Sequence, residues 1–143
     1  MGTWDIGPFD NDTAADWCGD LHDATPAQRP AMVRSAFTAV LDNGDDYLDS
    51  DLAVEAIAAA AIVASQLPGG AAITSSYAPD FLLAGGSVEV PADVLALVVP
   101  ALDRIVEDNS EWRELWEESA EGAPALAALQ QIRTSINASL DKR

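Results

Sequence analysis

Three features of this chain predict an all-α fold. Apolar residues recur at intervals of three and four along most of its length. No stretch of useful length alternates apolar and polar residues as a half-buried strand would. Helix punctuation stands between the periodic stretches, at Thr25-Pro26, Asn43-Gly44, Pro68-Gly69-Gly70, Ser110 and Gly122-Ala123-Pro124. The chain has 143 residues, 49% of them hydrophobic, which is enough for one core. The expectation is a compact single-domain bundle of five or six helices over residues 1–143, with a lead-in at 1–10 and a long Gly/Pro-containing loop near 67–90.

The lead-in carries aromatic mass at Trp4 and Phe9 and turn residues at Gly2 and Gly7-Pro8. Asn11 or Asp12 suits an N-cap for a first helix. Ala14, Trp17, Cys18 and Leu21 then fall on one face. Thr25-Pro26 reads as the N-cap and first residue of a second helix, with Pro30 marking where its regular part could start. Its buried stripe would be Met32, Val33, Ala36, Phe37, Val40 and Leu41, with Gly44 as a left-handed cap. A third helix should run from Ser50 to Gln66. Its middle, Ala56 to Ala64, is apolar on every side, which marks a central, buried helix.

Within the loop that follows, one short helical turn is expected around Tyr77 to Ala84. A fourth helix should begin near Pro91 and bury Val94, Leu95, Val98, Leu102, Ile105 and Val106, with a kink at Pro100. Ser110 would cap a short acidic fifth helix carrying Trp112, Leu115 and Trp116. The last helix follows Pro124, with Leu126, Leu129, Ile132, Ile136 and Leu140 as its stripe.

Composition narrows the function. The formal net charge is −17, from 24 acidic and 7 basic residues. Nucleic acid and anionic lipid are held by lysine and arginine, so direct binding to either is not expected. Solubility or host composition would explain the charge as well as an acidic recognition surface would. Ala56–Ala64, the longest apolar run, falls far short of the ~20 residues of a membrane span. The start has neither a basic nor an apolar leader region, and Met1-Gly2 lacks Ser or Thr at position 6 for myristoylation. A cytoplasmic protein is expected. A lone Cys18 excludes an internal disulfide framework.

Four groupings could carry chemistry. Asp10, Asp12 and Asp16 could hold Ca²⁺ or Mg²⁺ with Asn11, or serve the dipole of the first helix. The run Asp42 to Asp51 resembles a calcium loop in charge. Laid on the EF-hand template from Asp42, however, it has Tyr47 where Gly is required and Ala53 where a bidentate Glu is required. A solvated interhelical loop is the better reading. Cys18 and His22, four apart, could form a nucleophilic pair or half a zinc site, while Cys18 also fits the apolar stripe. Glu111, Glu114, Glu117, Glu118 and Glu121 crowd a short helix beside Trp112 and Trp116 and could meet a basic partner. No phosphate loop or hydrolase nucleophile motif is present, and no cofactor is expected.

The opening residues Gly2, Trp4, Gly7, Phe9, Asp10, Asn11, Asp12, Ala14, Asp16 and Trp17 fit the pattern Gly-x-Trp-Gly-x-Gly-x-Phe-[Asp/Glu]-Asn-Asp-x-Ala-x-Asp-[Phe/Trp]. On these residues the chain resembles an uncharacterised family of small bacterial proteins, a domain of unknown function. Asp5 stands where the family has Gly. A looser similarity continues through Tyr47-Leu48, the Ala-rich helix, Asp108 to Glu111 and Leu115-Trp116. Relatives carry a Glu within the Ala-rich helix where Ala61 stands here. The resemblance implies one small domain and no known reaction.

Taken together, the sequence points to a non-catalytic acidic interaction protein that binds a basic macromolecule in an inhibitor, immunity-type or accessory role. The alternative is a small divalent-cation-dependent enzyme or cation-binding module using Asp10, Asp12 and Asp16.

Overall fold

Helix boundaries follow the punctuation closely. A computed structural model describes residues 12–44, 46–67, 88, 90–107, 109–117 and 122–141. Among them are six helices: α1 (Asp12–Asp23), α2 (Arg29–Asp42), α3 (Ser50–Gln66), α4 (Ala92–Ile105), α5 (Glu111–Glu117) and α6 (Gly122–Asp141). The described residues hold no strand, only a single parallel bridge between Leu48 and Ser110. The fold is all-α, as the periodicity predicts.

α3 is the axis of the packing. It touches α1, α2, α4, α5 and α6. The cause is its sequence: Ala56, Ala58, Ala59, Ala60, Ile62 and Val63 are fully buried. Methyl-sized side chains let several helices approach one cylinder at once, and none of its sides needs polar residues for solvent. Its start is capped twice. The Asp51 amide donates to Asp49 Oδ1 at 2.7 Å, and the Ser50 amide donates to Glu111 Oε1 at 2.8 Å.

The α1 face of Ala14, Trp17, Cys18 and Leu21 is buried, as expected. α2 buries Val33, Ala36, Phe37 and Val40 mainly against α3 and α4. Two boundaries differ from expectation: α6 begins at Gly122, so Gly122-Ala123-Pro124 forms its first turn instead of the break before it, with Pro124 where a missing N–H is tolerated, and α2 begins late. Thr25-Pro26 does not start α2; a separate turn at 26–28 intervenes, closed by the Gln28 amide donating to the Thr25 carbonyl at 2.9 Å. The regular helix begins at Arg29, with Pro30 in its first turn, where a missing N–H costs nothing. Beyond its other end Gly44 has φ +61°, the left-handed geometry anticipated for it.

α4 runs unbroken through Pro100. Pro100 and Ala96 both face solvent, so the carbonyl that loses its helical donor can be met by water. Leu126, expected in the core stripe of the last helix, is exposed, and so is Leu115 beside the buried tryptophans of α5. Leu115 is 39% and Leu126 is 42% accessible. Helical geometry accounts for both. At about 100° per residue, Leu115 sits about 100° from Trp116, and Leu126 lies roughly 80° from the centre of the buried Leu129–Ile136 face. The expected helical turn at 77–84 and the expected core position Leu140 lie outside the described residues or side chains.

Ion pairs tie the outer helices to the frame. Arg34 of α2 reaches Asp93 of α4 at 2.8 Å, and Arg133 of α6 reaches Asp103 of α4 at 2.8 Å. Both pairs are substantially solvent-exposed, so each contributes little beyond register.

Candidate functional site

Acidic side chains converge where the α2–α3 connection meets the start of α5. Two backbone bonds fasten the segments. The Leu48 amide donates to the Asn109 carbonyl at 2.9 Å, and the Glu111 amide donates to the Leu48 carbonyl at 2.9 Å. Asn109 adopts φ +66°, which turns the chain out of the α4 exit and into this bridge. Asparagine tolerates that region better than other residues with a side chain.

Arg104, in the last turn of α4, holds the junction from beneath. Its Nε donates to the Gly44 carbonyl at 2.9 Å. Its Nη2 donates to the carbonyls of Asp46 at 2.8 Å and Asn109 at 3.3 Å. The Asn43 side-chain amide also donates to the Asp46 carbonyl, at 2.8 Å. On the calcium-loop template from Asp42 the backbone carbonyl that would ligate the metal is that of Leu48, and here it accepts from the Glu111 amide, while the guanidinium of Arg104 meets the carbonyls of Gly44 and Asp46. The cation that touches this connection is the protein's own guanidinium.

The outer surface of the junction is negative. Tyr47 is 48% exposed and donates from its hydroxyl to Glu114 Oε1 at 2.8 Å. That bond, with desolvation and the nearby charges of Glu114, Glu111 and Asp49, pushes the phenol up to about 12. Asp49 is exposed beside it, and Asp42, Asp46 and Glu107 are exposed on the adjoining chain segments. The result is an aromatic ring set among carboxylates.

The structure assigns specific contacts to the acidic residues of α5. Glu111 caps α3, Glu114 holds Tyr47, and Glu117 pairs with Arg113 at 2.6 Å. Glu118 and Glu121 lie outside the described residues. Trp112 and Trp116 are buried, with ring centroids 6.3 Å apart and planes at 54°. They anchor the helix against the core rather than presenting to solvent.

Elsewhere the sequence-derived candidates separate. Gly2, Trp4, Gly7, Phe9, Asp10 and Asn11 lie outside the described residues, as does the side chain of Asp12. Asp16 is exposed on α1, and Trp17 is buried. Among the described residues no three His, Cys, Asp or Glu side chains gather as a metal cluster would. Cys18 is buried, and burial pushes its thiol up to about 12, while His22 is exposed. A nucleophilic pair needs a thiolate, so the Cys18–His22 reading fails on desolvation. Iodoacetamide at neutral pH is expected to alkylate Cys18 roughly a hundredfold more slowly in the native protein than in urea. Equal rates would contradict its burial.

Sequence reasoning passed over Glu55. It is the one charged residue between Asp51 and Asp80, on the first turns of an otherwise apolar helix. That isolation was the available signal. The helix does carry a carboxylate, six positions before Ala61. Glu55 is half-buried. Desolvation first, then the charges of Asp51 and Asp20, raises its carboxyl above the ordinary range.

No helix among the described residues is long and apolar enough to cross a membrane. No curated protein and no solved structure matches the chain. One family model does match, described as a domain of unknown function (DUF4259), over residues 2–128. Because that match spans nearly the whole chain, the protein belongs to the DUF4259 family.

Proposed function

We propose that this is a non-catalytic interaction protein of the bacterial cytoplasm, whose acidic junction around Tyr47 receives a basic protein in an inhibitory, immunity-type or accessory role. One observation carries the reading: the described arginines are spent inside the fold. Arg29 donates to the carbonyls of Leu21 and His22, closing the end of α1. Arg104 holds the junction, and Arg34, Arg113 and Arg133 pair with Asp93, Glu117 and Asp103. At the junction the single positive charge of Arg104 stands against the carboxylates of Asp46, Asp49, Glu111 and Glu114, which leaves that surface negative. Such a surface attracts a cationic partner over a distance and steers its approach. Tyr47 adds a broad, half-exposed ring of the kind that anchors protein interfaces.

The test is a pull-down in low salt from the native host, comparing the wild-type protein with a D46K/E114K variant. The side chain of Asp46 is exposed, and Glu114 contacts only Tyr47 among the bonds described for its side chain. A basic protein should be retained by the wild type, released by salt, and held roughly tenfold or more weakly by the variant. Retention of no basic partner, or equal retention by the variant, overturns the reading.

A further inference from the structure

A second feature lies away from the acidic junction, between α1, α2 and α3. A cavity of about 470 Å³ opens there, within the ~300–1,000 Å³ typical of small-molecule sites. Its walls include Trp17 of α1 and Met32 and Ala36 of α2, with Gln28 and Ser35 supplying neutral polar groups. Among the described residues one ionisable side chain lines it, Glu55 of α3. Among the described residues, Glu55 makes no hydrogen bond or ion pair.

The lining selects a ligand chemistry. Anions are disfavoured, because the only charge in the wall among the described residues is a carboxylate, and Asp51 and Asp20 act on it from nearby with the same sign. A metal ion is disfavoured, because hard cations need several oxygen ligands and the remaining wall is largely apolar. A wholly apolar ligand would leave a half-buried carboxylate without a partner. An organic ammonium satisfies the wall on each count. Its charge meets the carboxylate, its N–H groups reach Glu55 Oε and the neutral polar groups, and its hydrocarbon body covers Met32 and Ala36. Trp17, although largely buried, contributes to the same wall.

We propose that the cavity between α1, α2 and α3 binds a small organic ammonium ion with an apolar body, with Glu55 as its counter-ion. The site is independent of the acidic junction and needs no macromolecular partner.

Three probes with one aromatic body separate the contributions: phenethylammonium, neutral 2-phenylethanol and 3-phenylpropionate. Each is titrated into the full-length protein at neutral pH and followed by NMR through the Trp17 indole and Met32 methyl signals. Phenethylammonium should give saturable shifts at both reporters and bind at least tenfold more tightly than the alcohol, with the propionate weakest. E55Q should bring ammonium affinity down to that of the alcohol while leaving the alcohol unchanged. S35W, which introduces bulk from an exposed rim position, should abolish shifts from every probe. The proposal is overturned by equal affinity for the three probes, by absence of saturable shifts, by ammonium affinity that E55Q leaves unchanged, or by ammonium binding that survives S35W. Because the readout uses the purified protein alone, its failure leaves the basic-partner reading standing, and the reverse also holds.

Discussion

Truncating Phe37 to alanine is expected to destabilise the protein by about 3–5 kcal/mol. Phe37 is fully buried on α2, the helix that packs against both α3 and α4. Removing the ring forfeits its transfer from water and leaves a void between helices that cannot close independently. α3 in particular has little slack, since its alanines already bring neighbouring backbones close. The loss is a large share of the ~5–15 kcal/mol that holds a typical domain. Urea unfolding followed by circular dichroism checks it. The midpoint should fall with little change in slope, because the surface exposed on unfolding hardly alters. A shift below about 1 kcal/mol would show that the site repacks freely, contrary to the packing around α3.

Replacing Arg104 by alanine is expected to cost about 2–3 kcal/mol, from the order expected for charge-assisted hydrogen bonds discounted for solvent access. The substitution strips donors from the carbonyls of Gly44, Asp46 and Asn109 together. Its consequence for the acidic junction is larger than the energy alone suggests. Two connections that carry the carboxylates would lose the side chain that fixes their separation. R104K retains the charge but cannot offer a planar fork to three acceptors, so it should recover only part of the stability. Chemical denaturation of both variants reads the energies. The amide exchange rates of Leu48 and Glu111 read the junction directly and should rise in both, more in R104A. Full rescue by lysine would mean that charge, not the fork, holds the loops.

Much of this fold was legible because its helices obey local rules. The third helix was placed from Ser50, and its uniformly apolar middle gave its central place. Gly44 gave the left-handed exit from α2. What was not legible depends on residues distant in the chain. Nothing around Arg104 says that its partners are carbonyls at 44, 46 and 109. The acidic loop therefore resembled a calcium loop lacking two key residues, when its positive charge comes from another helix. Leu126 was misplaced because a stripe drawn from spacing alone does not show where the neighbouring helix ends. The candidate site was only half visible. Glu111 and Glu114 were chosen for their crowding, but their contacts with Ser50 and Tyr47 cross more than sixty positions. Glu55 was overlooked for the opposite reason, since a single carboxylate among alanines forms no pattern.

The bridge between Leu48 and Ser110 has a bearing on how the molecule is made. Ser50 and Glu111, which flank it, stand 61 positions apart. Individual helices form from contacts within a few residues, whereas this junction must wait until a long intervening chain has been drawn into place. Loop-closure entropy therefore puts the carboxylate-ringed tyrosine among the last parts to be assembled and among the first to come apart. A chain still emerging from synthesis would possess most of its helices before it possessed this surface. Any protein that docks there would meet only finished molecules, and partner recognition would double as a check that folding is complete.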